Sequence, residues 1–438
     1  MVRFGILGMA KSGIAAAYKI KELGGKPFLS EFLPKEKIAN WQNIVRDFKC
    51  EFGGHSDKIL NCDTIIVSPG IPLNIPILQK AKKQDINIIG EIEFGFSIKS
   101  SDSKIIAVTG SNGKSTTVSL IHHTLLKTGY NSILAGNIGT PFTAFPIEKS
   151  GIDFIVLELS SFQLETIKKF KADVAVLLNI TPDHLNRYEN MDEYAKTKFR
   201  IFENQNEDDL AILNFDDKFV QKYKNLIFAD KKYFSSKVKK NIVLQNNFLH
   251  FSSKNISLKN AILKGPHNIE NMMATILALE NFNVSKNIFE TALQTFSPLA
   301  HRLEFVQNID GISFYNDSKA TNTDSVKYAL QSFDKPIRLI IGGAGKNEDY
   351  TVLNQLIKKY VTKLYIIGND RFKMKKTFEN TVKLELFDNF KNSIITAFSE
   401  AKKDDVILLS PACTSYDMFQ NFEKRGNKFK EIVRNLRK

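Results

Sequence analysis

The sequence predicts an α/β protein of three domains, and three observations carry that prediction. Short apolar runs alternate with amphipathic segments from end to end, the pattern of parallel sheets with helices packed outside. At 438 residues the chain exceeds one ordinary core, which sets a prior of about three domains. Polar breaks at Ser97 to Lys104 and at Phe296-Ser297-Pro298-Leu299 place linkers near 98 and 298, giving domains at 1–98, 99–298 and 299–438.

The first apolar run, Arg3 to Leu7, ends in Gly8-Met9-Ala10-Lys11-Ser12-Gly13 with a helical pattern after it, and Glu31 lies just past the next run, Pro27 to Ser30. Strand, glycine turn and helix make a Rossmann-like opening that suits a nucleotide. The spacing is not G-x-G-x-x-G, so a dinucleotide is weakly supported and a packing turn is the alternative. Arg3 also gives the opening stretch the basic start of a secretory leader, but glycines and lysines interrupt its apolar run. The run Thr64 to Val67 leads into a second turn, Ser68-Pro69-Gly70-Ile71-Pro72.

In the central domain, Ile105 to Thr109 reads as a buried strand entering Gly110-Ser111-Asn112-Gly113-Lys114-Ser115-Thr116. Small residues let the backbone approach a polyanion, N–H groups at a helix start point at its oxygens, Lys114 adds a positive charge, and Ser115 is placed to hold Mg²⁺. This predicts a P-loop-type ATPase domain on a mostly parallel sheet, with ATP as the ligand. The spacing departs from G-x-x-x-x-G-K-[ST], because Val108 stands where the first glycine belongs. Glu158 ends the run Phe154 to Leu159; alone it reads as a cap or an ion-pair partner, and beside a phosphate loop as a Mg²⁺ ligand. Asn179 to Tyr188 and Tyr194 to Phe202 follow the run Val174 to Asn179. Alternating patches from about 235 to 262 predict a small antiparallel excursion, and Gly265 to Asn271 opens an amphipathic helix.

The last domain, expected to be Rossmann-like, carries apolar runs at Arg338 to Ile341, Leu364 to Ile367 and Val406 to Leu409. Its polar loops are His301 to Glu304, Tyr315 to Asn322, Gly342 to Lys346 and Ser410 to Gly426. Taken singly, the loops His301 to Glu304 and Tyr315 to Asn322 divide evenly between turns and sites.

Lys+Arg of 61 against Asp+Glu of 47 gives a net charge of +14. The lysines are scattered and no run of five basic residues occurs, which favours a solvated lysine-rich surface over a nucleic-acid or membrane partner. No apolar run is long enough to span a bilayer. Three cysteines without C-x-x-C spacing suggest neither a disulfide framework nor a zinc site and point to a reducing cytoplasm.

The shortened phosphate loop T-G-x-N-G-K-[ST]-T at 109–116 resembles the Mur ligase and folylpolyglutamate synthase superfamily, which joins an amino acid to a carboxylate at the expense of ATP. The resemblance spans all three domains. A folylpolyglutamate synthase would lack the first nucleotide domain, and the last domain resembles the D-glutamate-adding Mur ligases, without the D-N-P-R stretch of the diaminopimelate- or lysine-adding ones. The resemblance implies ATP bound by Gly110, Ser111, Asn112, Gly113, Lys114, Ser115 and Thr116, with Asn271 at the adenine and Arg302, Asp317 and Lys319 contributing from the last domain. It implies a UDP-linked substrate on Gly8, Met9, Ala10, Glu31, Ser68 and Gly70, with Asn137, Ser160 and Gln163 toward its acyl end. Lys114, His184 and Lys198 would be catalytic; Ser115, Glu158, His184 and a carbamylated Lys198 would hold two Mg²⁺ ions. Thr321, Lys346, Ser415 and Phe422 would hold D-glutamate. The implied activity is ATP-dependent amide formation between UDP-N-acetylmuramoyl-L-alanine and D-glutamate through an acyl phosphate. That is a cytoplasmic step of peptidoglycan precursor synthesis, by a monomer with no nucleic-acid partner.

Overall fold

A five-stranded parallel sheet opens the computed structural model, which describes residues 2–183, 187–297, 300–346 and 348–436. Its strands are β1 (Phe4–Leu7), β2 (Phe28–Glu31), β3 (Lys49–Phe52), β4 (Thr64–Val67) and β5 (Asn87–Gly90), in the order β3-β2-β1-β4-β5. The chain winds outward from β1 to β3, then restarts on the other side of β1, so the order reverses between β1 and β4. The two turns singled out in the sequence meet at this reversal, where Ser68 Oγ donates to Gly8 O at 3.1 Å. Helix Lys11–Glu22 leaves the first turn so closely that a Cβ on Gly13 would lie 2.0 Å from Gly8 O. Glycine is therefore required there. Ile6, Leu29, Ile65 and Ile66 are at most 1% exposed, because a parallel sheet is covered on both faces; this is why these strands read as continuous apolar runs.

The second parallel sheet contains β6 (Lys104–Thr109), β7 (Ser132–Gly136), β8 (Phe154–Glu158), β9 (Val174–Leu177), β10 (Leu210–Asn214) and β11 (Asp230–Phe234), in the order β11-β10-β9-β6-β8-β7. The phosphate-loop strand β6 lies between β8 and β9, so the strand ends that carry Glu158 and Asn179 flank its turn. The antiparallel excursion is present as β12 (Ile242–Gln245), β13 (Phe248–Phe251) and β14 (Lys254–Ser257). Asn246 and Asn247, at φ 49° and 63°, turn the first hairpin; two left-handed residues match the twist of the strands they join.

The chain divides into two compact units, one of Met1–Ile180, Asn190–Asn260 and Glu270–Gln294, the other of Thr181–Glu189, Ala261–Ile269 and Thr295–Lys438. The first two sheets share a unit for a visible reason. Helix Glu91–Ile98 leaves β5 directly and buries two carboxylates against central-domain backbone. Glu93 accepts N–H bonds from Lys168, Lys169 and Phe170, and Glu91 accepts from the N–H and hydroxyl of Thr143. The polar stretch after this helix is itself tied down, Ser100 N to Ile147 O at 2.7 Å and Ser103 Oγ to Ile152 O at 2.7 Å. The second break, near 298, includes Pro298 and Leu299, which lie outside the described residues.

The second unit holds β15 (Glu304–Ile309), β16 (Ile312–Asn316), β17 (Ile337–Gly342), β18 (Val361–Ile367), β19 (Lys383–Leu386) and β20 (Val406–Leu409), in the order β15-β16-β20-β17-β18-β19. Only the β15–β16 pair is antiparallel. The carboxyl ends of β16, β20 and β17 lie side by side, where a doubly wound sheet presents its ligand crevice.

Candidate active site

The phosphate turn is built by pinning the exit of β6. Thr109 Oγ1 donates to Leu159 O at 2.8 Å, and Leu178 N bonds Thr109 O at 3.1 Å, which ties the strand end to both neighbours. Asn179 then clasps the turn: its Oδ1 accepts Asn112 N at 2.8 Å, its Nδ2 donates to Asn112 O at 3.1 Å, and its backbone oxygen accepts Ser111 N at 2.8 Å. Gly113 caps helix Lys114–Thr128 at φ 87°, and a Cβ there would lie 2.4 Å from Asn271 Oδ1. Asn271 thus packs on the turn and also accepts from Thr117 Oγ1 at 3.3 Å.

Two ammonium groups converge on one backbone oxygen. Lys114 Nζ donates to Gly110 O at 2.7 Å and to Ser111 O at 2.8 Å, while Lys198 Nζ reaches Gly110 O at 2.9 Å. Lys198 is 1% exposed and lies 4.7 Å from the ring centroid of Tyr194, whose hydroxyl is 3.2 Å from Ser111 Oγ. Lys198 is buried and Lys114 half-buried, and a lysine beside the first turn of a helix is chemistry suited to a polyphosphate. At the neighbouring strand end Glu158, also 1% exposed, accepts Asn137 Nδ2 at 2.7 Å. Gly136 holds φ 99° there because a Cβ would meet Glu158 O at 2.4 Å. Ser160 and Gln163 form a reciprocal capping box on helix Ser161–Leu164. His184 lies outside the described residues.

At the first sheet's reversal, Glu31 reaches back so that its carboxylate accepts Met9 N at 2.7 Å and Leu33 N at 3.0 Å. Ala10 is the N-cap of helix Lys11–Glu22, and Gly70 faces open space.

In the second unit, Asp317 follows β16 and is held by Ser410 Oγ at 2.8 Å and Leu303 N at 3.2 Å; burial pushes its carboxyl up to about 7. His301 accepts Asn316 Nδ2 at 2.9 Å, and its backbone oxygen takes Lys319 N at 3.0 Å. Lys319 Nζ lies 5.5 Å from the Phe422 ring centroid. Arg425 is fully buried and binds two loops at once: Ser318 through Oγ (3.0 Å) and O (2.8 Å), and the other loop through Cys413 O (3.0 Å) and Thr414 O (3.1 Å). These loops carry Thr321 and Ser415. Lys346 Nζ pairs with Asp183 at 3.0 Å. Nearby Glu348, bonded by Thr323 N at 2.6 Å, is pushed up to about 7 chiefly by burial.

Most of the predicted residues that are described therefore lie in the turns after strands of the two parallel sheets and of the mixed third sheet, while Asn271 and Phe422 lie on helices. The sequence assigns no role to Tyr194, Glu348 or Arg425, and marks Asn179 and Asp183 only within the segment Asn179 to Tyr188. Asn179 had a signal, a polar side chain ending an apolar run beside the phosphate loop. Arg425 had none, since a lone arginine in a helical pattern reads as surface.

Three family models match the chain: the Mur ligase MurD-like N-terminal domain over residues 3–90, the Mur ligase middle domain over 108–279, and the Mur ligase glutamate ligase domain over 301–413. The UDP-N-acetylmuramoylalanine--D-glutamate ligase of Koribacter versatilis is 37% identical, covering 98% of this chain and 97% of its own. That of Cytophaga hutchinsonii is 40% identical, covering 98% of both. The crystal structure of UDP-N-acetylmuramate-alanine ligase from Thermotoga maritima shares the fold at a TM-score of 0.65 and 17% identity, over 99% of each chain. Similarity of this extent, running through both compact units, makes the chain a member of the Mur ligase family.

Proposed function

We propose that this chain joins D-glutamate to UDP-N-acetylmuramoyl-L-alanine in peptidoglycan precursor synthesis, driven by ATP through an acyl phosphate. The observation that carries the reading is Lys114 Nζ folded over Gly110 O and Ser111 O at the start of helix Lys114–Thr128, in a chain 35–40% identical to D-glutamate ligases along its whole length. In the first step the substrate carboxylate attacks the γ-phosphorus, a P–O bond forms, and ADP leaves. In the second the D-glutamate amine displaces phosphate from the acyl carbon and loses a proton. Both steps bring anions together, so positioning and fixed positive charge supply most of the catalysis.

Lys114 is assigned to the ATP phosphates, Asn137 to the acyl end of the nucleotide substrate, and the first sheet's reversal to its UDP moiety. Among the described residues no group of three or more His, Cys, Asp or Glu could hold a metal. Magnesium is nevertheless suited to the oxygens present, because it is commonly held by one or two carboxylates together with substrate phosphates. Ser115 and Glu158 would hold it, with Lys198 joining them as a carbamate. There it would neutralise charge developing on the phosphoryl oxygens. In the second unit, the Lys346 ammonium, the Ser415 hydroxyl, Thr321 and the backbone at Phe422 are assigned to the carboxylates of D-glutamate, which need charged and hydroxyl donors. A cytoplasmic location is supported by Cys50, Cys62 and Cys413 all being free thiols. No described helix is long and apolar enough to cross a membrane.

The test is ADP release with Mg·ATP and UDP-N-acetylmuramoyl-L-alanine, comparing D-glutamate with L-glutamate, glycine, L-alanine and diaminopimelate. Turnover with D-glutamate alone is expected. Turnover with another amino acid would keep the ligase chemistry and overturn the assignment of the second unit.

A further inference from the structure

We propose that Tyr350 and Asp370 are positioning residues for the amino-acid substrate: the pair sets the spacing between the Lys346 ammonium and the Ser415 hydroxyl. The inference rests on the assignment of those two donors to D-glutamate and names what holds them in register.

Lys346 and Ser415 stand on different loops, one after β17 and one after the adjacent strand β20. A ligand held by both donors feels any shift of one loop against the other. Ala344 and Thr414 tie the loops by an antiparallel bridge, with N–H to O distances of 3.1 and 3.0 Å, and Thr414 Oγ1 adds a bond to Ala344 O at 2.8 Å. This bridge abuts Ser415 but stops short of Lys346. Asp370, from the loop after β18, covers the gap. Its N–H donates to Gly343 O at 3.0 Å and its Oδ1 accepts Gly345 N at 3.2 Å, so it brackets the segment that leads into Lys346. The fit leaves no spare room: a Cβ on Gly345 would lie 2.0 Å from Asp370 Oδ2 and 2.7 Å from the Tyr350 hydroxyl.

Tyr350 opens the helical turn Tyr350–Leu353 just after the Lys346 loop, and it is buried. Its hydroxyl donates to Asp370 Oδ2 at 2.8 Å and lies 3.1 Å from Cys413 Sγ. The phenol has one proton and gives it to the carboxylate, so the Cys413 thiol donates to the phenol oxygen. Burial pushes that thiol up to about 12, which keeps its proton in place at neutral pH. One hydrogen-bond chain thus runs from Cys413, in the loop of Ser415, through Tyr350 and Asp370 to Gly345, beside Lys346. Asp417, from the same loop as Ser415, accepts Asn369 N at 3.0 Å and ties that loop to the one bearing Asp370. Because Tyr350 is buried, it acts through the donors it aligns and not on the substrate itself.

The test measures ADP release by the full chain and takes a KM for each of the three substrates, on wild type, Tyr350→Phe, Asp370→Ala and Asp370→Asn. Tyr350→Phe should raise the KM for D-glutamate about fivefold, the scale of one net hydrogen bond, and Asp370→Ala about tenfold or more. The KM values for ATP and for the nucleotide substrate should stay within about twofold of wild type, well below that scale. Asp370→Asn should recover most of the loss, since its oxygen can accept Gly345 N–H and its amide can donate to Tyr350, whose proton then turns to Cys413. A merely structural role would lower kcat with the folded fraction and leave every KM unchanged; that result, or an equal rise in all three, overturns the proposal. If Asp370→Ala does not fold, Tyr350→Phe decides by the same measure. A wild type that uses another amino acid overturns the D-glutamate reading alone, and the positioning role is then judged on the KM for that amino acid. A wild type that uses none overturns both.

Discussion

Replacing Arg425 with alanine tests how the second unit's two loops are held. The side chain is 0% exposed and makes four hydrogen bonds, to Ser318 Oγ, Ser318 O, Cys413 O and Thr414 O. Burial pulls its guanidinium down to about 10, still charged at neutral pH. Charge-assisted bonds contribute roughly 1.5–3 kcal/mol each, but they are not additive, and truncation also relieves the cost of desolvating the cation. What remains is a cavity and carbonyls stripped of their donor, a net loss of about 3–5 kcal/mol. A domain holding roughly 5–15 kcal/mol survives this but melts early. With a urea dependence near 2–3 kcal/mol/M, the midpoint should fall by about 1–2 M. The chain's single tryptophan, Trp41, lies in the first unit. Its fluorescence transition should stay in place while the circular dichroism transition of the second unit moves. Arg425→Lys, which keeps the charge but loses the planar fork, should fall between. A dichroism midpoint within about 0.3 M of wild type, or an equal shift of both transitions, would refute the reasoning, whose scale is set by the net loss above.

Glu91 is fully buried, and desolvation raises it to about 7 despite its bonds from Thr143. Between its unfolded value near 4.3 and about 7 the folded state binds more protons, so wild type loses stability as pH rises through this window and levels off above it. Glu91→Gln should remove that slope and gain about 2–3 kcal/mol relative to wild type at pH 8, read from urea melts at pH 5 and 8; parallel pH profiles would contradict the assignment. Gly113→Ala forces a Cβ to 2.4 Å from Asn271 Oδ1 at φ 87°. It should cost about 1–2 kcal/mol in backbone strain alone and raise the KM for ATP, whereas an unchanged KM would show the turn is not the ATP cradle. Lys198→Ala should lose ADP release and regain it with added formate or acetate. Failure of every short carboxylate would argue against a carbamate at this position.

The phosphate turn, the strand end bearing Glu158 and the glycine turn after β1 were legible because each is encoded by neighbours in the chain. Small residues, a lysine and a helix start at fixed spacing have one local use, and an apolar run ending in a carboxylate marks a sheet's carboxyl edge. Edge strands such as β3 and β11 escaped because they are only half buried and mix lysines with apolar residues. The sequence alone thus determined the α/β class, the order of its chemistry and the family. Only tertiary structure decided which side chains hold that chemistry in place. Asn179 clasps Asn112 across 67 residues, Lys198 reaches Gly110 across 88, and Arg425 binds Ser318 across 107. Glu91 and Glu93 look like ordinary first-turn acids until central-domain N–H groups are seen to close on them. Such pairings depend on which strand ends the sheet order brings together, and nothing in local spacing carries that information.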